Sequence, residues 1–135
     1  MFFLLLLLAQ NVLPTVPGAT DPRVTQANIE RTICVKGYTK TVRSVSAGVK
    51  AVVYLRGQVT DHKTVEVDHL ISLELGGSND IANLWAEPYK PKPGAREKDK
   101  VENWLNKQVC SGAMTLTDAQ RAIVTDWPKV YREMK

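Results

Sequence analysis

The chain has 135 residues, 44% of them hydrophobic, with a formal net charge of +4 and a pI near 9.1. That length suits one domain with a modest core, and the basic balance is compatible with an anionic partner without requiring one. The only cysteines are Cys34 and Cys110 and the only histidines His62 and His69, so zinc sites built from adjacent ligand pairs are excluded: there is no CxxC and no HxxxH.

The chain opens MFFLLLLLAQ. An apolar run of about eight residues is too short to span a bilayer, which takes about 20, and fits the core of a secretory signal. No Lys or Arg precedes it, Ala9 and Ala19 both offer cleavage points, and a membrane-tethered N-terminus is the alternative. Residues 1–20 are read as signal and linker, and residues 21–135 as the domain. Export makes one disulfide between Cys34 and Cys110 the simplest pairing; in a reducing compartment the two would be inert core thiols. Gln10 to Pro22, with three prolines, reads as linker. Thr25 is placed to cap a turn over QANIER.

TICVKGYTK reads as an extended segment broken at Gly37, with Thr39, Lys40, Thr41 and Arg43 on a solvated loop that could face phosphate. SAGVKAVVYLRG predicts a helix with Ser46 as N-cap and Gly57 as stop. Asp61-His62 lies in a polar turn. The same dipeptide recurs at Asp68-His69, at the end of an alternating run from Val65 that predicts a strand. Adjacent strand residues point to opposite faces, so Asp68 and His69 can share a site only if the strand ends or bulges there. Gly76-Gly77 turns the chain and IANLW returns, carrying Asn83. YKPKPG is irregular. Ala95 to Cys110 predicts the strongest helix, with Val101, Trp104, Leu105, Gln108 and Val109 on one face. Lys98 and Glu102 flank that face, whereas Asp99 lies nearer the opposite side. Thr115 to Asp118 resembles a capping box opening a helix that Asp126-Trp127-Pro128 breaks before a last short helix through Tyr131. Trp85, Trp104 and Trp127 are expected in the core.

Asp68-His69, then Gly76-Gly77, then Asn83-Leu84, resembles the signature of the HNH endonuclease family. More narrowly, ICVKGYTKTVR, VDHLISLELGGSNDIANLW, KDKVENWL, VCSG and AQRAI…DW look like small secreted HNH-like nucleases of bacteria, over about residues 22 to 132. The resemblance implies an α+β fold with a ββα-metal core, additional helices and one disulfide. It also implies a monomer, not held in a membrane once mature, that hydrolyses DNA or RNA phosphodiester bonds with little sequence preference. Carried over by position, His69 is the general base, Asp68 a metal ligand, and Asn83 the residue that holds the two arms and helps orient the histidine. The third family position falls here on Lys92, which is no ligand, leaving Asp99 and Glu102 as alternatives on the later helix. Without a second nearby His, an oxygen-preferring Mg²⁺ or Mn²⁺ is expected.

These residue types suit the reaction. Neutral imidazole can take the proton of an attacking water, and a cation held by Asp68 would offset charge on the phosphate oxygens. Arg96, Lys98 and Lys100 are candidates to brace the phosphate, although alternating charge on a helix is more often a solvated face. Nothing resembles a base-reading helix, so nonspecific backbone binding is the expectation. The competing function is a basic nucleic-acid-binding module on the same scaffold without catalysis.

Overall fold

The computed structural model describes residues 14–135; the signal reading of residues 1–13 lies outside them. Four helices and one two-stranded antiparallel sheet make up a mixed α+β fold. The helices are α1 (Tyr38–Val42), α2 (Ala47–Arg56), α3 (Ala95–Cys110) and α4 (Leu116–Glu133); the strands are β1 (Val65–His69) and β2 (Leu84–Pro88).

Helix starts follow local chemistry. Ser46 Oγ accepts from Val49 N at the head of α2, and Thr115 Oγ1 accepts from Asp118 N at the head of α4, each satisfying an amide with no partner in its own helix. The α4 backbone kinks at Asp126 (φ −165°, ψ 78°). There Asp126 Oδ1 accepts from Lys129 N and restarts the helix one residue ahead of Pro128. Two expectations are corrected. TICVKGYTK is not extended: it is a run of turns leading into α1, in which Gly37 takes a left-handed φ of 84°. Residues 18–21 are not a loose linker: Gly18 N donates to Ala82 O, Asp21 N to Gly76 O, and Ser78 N to Ala19 O. Backbone hydrogen bonding to a distant loop leaves no periodic signal in a sequence.

The core gathers Ile71, Leu75, Val101, Leu105, Val109, Leu116, Ala119, Ile123 and Trp127 around the α3–α4 contact. Burial follows the wheel drawn for α3: Val101, Leu105 and Val109 are enclosed with Lys98 and Glu102, and Asp99 is exposed. Trp85 is buried as well, while Trp104 is half-buried against the core. Cys34 and Cys110 form the expected disulfide, tying the end of α3 to the N-terminal turns across 76 positions of sequence. In the chain-entropy account a loop that long contributes about 4 kcal/mol. No helix among the described residues is long and apolar enough to cross a membrane.

Candidate functional site

The β1–β2 pairing is regular: Glu66 opposes Glu87, Asp68 opposes Trp85, and His69 opposes Leu84. Opposed residues share a face. Glu66, Asp68, Trp85 and Glu87 therefore lie on one side, and Val67, His69, Leu84 and Ala86 on the other. Helix α3 covers the first side, since Lys98 reaches Asp68. Helix α2 covers the second, where Val53 and Gly57 lie beside Leu84 and Ala86. No bulge turns Asp68 and His69 toward each other, and the strand ends at His69. The carboxylate meets α3; the imidazole leaves by the other face.

On the α3 side the centre is Lys98. The sequence reading aimed it at phosphate, but it is 0% exposed and its ammonium is occupied. Nζ lies 2.9 Å from the His69 carbonyl oxygen, 2.7 Å from Glu102 Oε1 and 2.7 Å from Asp68 Oδ2. The first two are aligned hydrogen bonds; the Asp68 contact is an ion pair without that alignment. Burial alone would lower the Lys98 pKa, and the neighbouring carboxyl groups, Asp68 first and then Glu102, outweigh it, so the net shift is upward and the ammonium stays charged. Burial likewise works against the Asp68 anion, and Lys98 overrides it.

Glu87 is the unforeseen member. It is fully enclosed, and burial, then hydrogen bonding to Asp68 and the Asp68 charge, push its pKa up to about 11. It is thus the protonated partner of a carboxyl–carboxylate pair. Its only trace in the sequence is a glutamate on an otherwise apolar strand. Burial also lifts Glu102 to about 8 and Glu66 to about 7, and raises Asp99 and Glu74.

On the other side, His69 is 4% exposed. Its Nε2 lies 3.0 Å from Asn79 Oδ1. The Asn79 amide is fixed by other bonds: Nδ2 donates to Val42 O at 2.7 Å and Oδ1 accepts from Ser44 N at 3.1 Å. Oδ1 is therefore an acceptor, and the neutral imidazole carries its proton on Nε2. Nδ1 keeps the lone pair. It has no hydrogen bond among the described residues. Burial lowers the His69 pKa, against the pull of Asn79 and Asp68. Asn79 escaped the sequence reading because an Asn after a Gly-Gly turn reads as loop chemistry.

Asn83 is the staple of this region. It is completely enclosed. Its Oδ1 accepts from Ile71 N and Ala19 N, and its Nδ2 donates to Ile71 O and Ser78 O. All four bonds go to backbone, so Asn83 ties the two arms together, the holding role that the resemblance implied for it. Through Ser78 it sets the loop that carries Asn79. Gly76 and Gly77 make that loop possible: Gly76 has φ 75°, and a Cβ on Gly77 would collide with the Ile71 carbonyl.

An open cleft of about 280 Å³ lies beside this assembly, lined by Thr39, Arg43, Ser72, Glu74, Asp99, Glu102 and Asn103. Arg43 acts electrostatically on His69, Glu66 and Asp99 alike, which places it near both sides of β1. Arg96 and Lys100 are exposed on α3, and Arg96 lies over the Tyr89 ring, 5.4 Å from its centroid. His62 is an exposed turn residue, as expected, stacked on Tyr54. Of the candidate metal ligands, Asp68 and Glu102 meet at Lys98, and Asp99 lies beside Glu102 on the cleft wall without touching the ammonium. Among the described residues no three His, Cys, Asp or Glu side chains converge as a metal cage. No family model, curated protein or solved structure matches the chain.

Proposed function

We propose that the chain is a secreted nuclease that hydrolyses phosphodiester bonds of DNA or RNA with little sequence preference, with His69 as general base. The observation that carries this reading is the His69–Asn79 pair. It holds a neutral imidazole as the Nε2–H tautomer and leaves the Nδ1 lone pair without a hydrogen bond among the described residues. A lowered pKa keeps that lone pair free at neutral pH. The order strand, glycine turn, strand, helix supports the ββα reading drawn from the HNH resemblance, and the disulfide supports export.

In the proposed reaction His69 Nδ1 takes a proton from a water as the water oxygen bonds to phosphorus. The bond from phosphorus to the bridging ester oxygen breaks, and that oxygen leaves as an alkoxide that takes a proton from solvent water. Arg43, on the wall of the adjacent cleft, is the guanidinium proposed to hold a phosphate oxygen. The divalent cation implied by the resemblance does not fit between Asp68 and Glu102 as they stand, because the Lys98 ammonium occupies that position. No step is routed through a cation.

The test is cleavage of plasmid DNA and of RNA by purified protein with Mg²⁺, with Mn²⁺ and with EDTA. Cleavage by the wild type that falls roughly 10² to 10⁴-fold in His69→Gln supports the assignment; equal rates end it. The second reading, a binding module without catalysis, is favoured by Lys98, since a neutralised carboxylate cluster is what a purely structural scaffold would keep. A salt-sensitive gel shift without cleavage would establish that reading.

A further inference from the structure

Three oxygen atoms of different origin converge on one point: Asp68 Oδ2 at 2.7 Å, Glu102 Oε1 at 2.7 Å and the His69 carbonyl at 2.9 Å. That point is Lys98 Nζ. A carboxylate from β1, a carboxylate from α3 and a main-chain carbonyl form the kind of all-oxygen donor set that hard cations take, at 2.3–2.6 Å for Ca²⁺ and about 2.1 Å for Mg²⁺. The ammonium contacts are longer than Ca²⁺ distances by only a few tenths of an ångström, and the ammonium arrives on a tether one helical turn from Glu102. The side chains of Asp68 and Glu102 each keep 11% of their surface exposed, while the Lys98 side chain between them keeps 1%.

We infer that Lys98 is a built-in cation filling an oxygen cage, and that removing its ammonium unmasks a divalent-cation site made by Asp68, Glu102 and the His69 carbonyl. The wild-type chain accordingly takes no divalent ion at Asp68, and whatever cation its activity needs acts elsewhere. The tethered charge has a clear advantage over a diffusible one, being present at any ion concentration. It also fixes the end of β1 to α3, because one of its bonds goes to the His69 backbone. The inference concerns binding and holds whether or not the chain cleaves nucleic acid.

The test reads Mn²⁺ binding, independent of activity. In the wild type, paramagnetic broadening by Mn²⁺ should spare the amide signals of Asp68, His69 and Glu102, and Asp68→Asn should leave Mn²⁺ affinity unchanged within twofold. Lys98→Ala should gain a site whose occupancy raises the melting temperature, and Lys98→Ala/Asp68→Asn should lose it at least tenfold. Lys98→Met, which keeps the apolar stem, serves if the alanine variant does not fold. Selective broadening at Asp68 in the wild type, or a Lys98 variant that folds and binds no Mn²⁺, would overturn the inference.

Discussion

At the residue scale, burial displaces two acid–base groups from their usual range in opposite directions, and each shift has a measurable consequence. His69 loses hydration, which disfavours the imidazolium and lowers its pKa. The proposed base therefore stays neutral to lower pH than free imidazole, and the acid limb of kcat/KM should fall below pH 6.5. An acid limb at or above 6.5 would contradict it. Glu87 is displaced the other way, up to about 11, by burial and by Asp68 beside it. Its folded-state pKa exceeds the unfolded value of 4.5, so the folded chain holds a proton that the unfolded chain gives up. Stability from this group is complete below pH 4.5 and declines as pH rises toward 11. Glu87→Gln keeps the shape and a donor toward Asp68 but cannot ionise. It should match the wild type in urea unfolding near pH 4 and exceed it by at least about 1 kcal/mol near pH 8; a difference that does not grow with pH would show that Glu87 is charged in the fold.

At the scale of elements, the loop between β1 and β2 is held by one side chain rather than by its own turns. Asn83 satisfies two backbone amides and two carbonyls, and Asn79, on the loop so held, links it to the end of α1. Asn83→Ala leaves those buried groups without partners, at about 1–3 kcal/mol for each that water cannot reach. The expected loss is about 2–5 kcal/mol in chemical denaturation. Hydrogen exchange should speed at Ile71 and Ala19, while the interior of α4 stays protected. Destabilisation without local loss of protection at Ile71 would count against the staple. Helix α3 was legible in full, from Ala95 to Cys110, because a 3.6-residue apolar period, with a glycine at its head and another just past its end, is local information. The turns before α1 were not, since nothing in TICVKGYTK says where its backbone hydrogen bonds go.

At the scale of the whole molecule, a net charge of +4 hides an uneven distribution. The cleft beside His69 sets Arg43 against Glu74, Asp99 and Glu102, so a polyanion meets one cation and three acids whose pKa values burial raises. Arg43→Ala should therefore weaken nucleic-acid binding strongly for a single exposed arginine. It should reduce the slope of log affinity against log salt by about 1; an unchanged slope would move the phosphate path away from this cleft. The sequence by itself determined the α+β class, the limits of β1, α2 and α3, the pairing of Cys34 with Cys110, the burial of Trp85 and Trp127, and the stretch around Asp68-His69 as the place where chemistry-bearing groups collect. The element limits and the buried tryptophans follow from period, capping and composition, which act over a few residues. The α+β class and the weight on Asp68-His69 follow from the HNH resemblance, and the cysteine pairing from there being only two cysteines in a chain expected to be exported. Only the tertiary structure decided that Lys98 turns inward, that Glu87 is buried where Asp68 raises its pKa, and that Asn79 sets the imidazole. It also decided that Asp68 and His69, adjacent in the chain, serve opposite faces of one strand. Each of these depends on which partner lies across a gap of ten to thirty-seven residues, where charge and burial are settled by packing and leave no mark on local pattern.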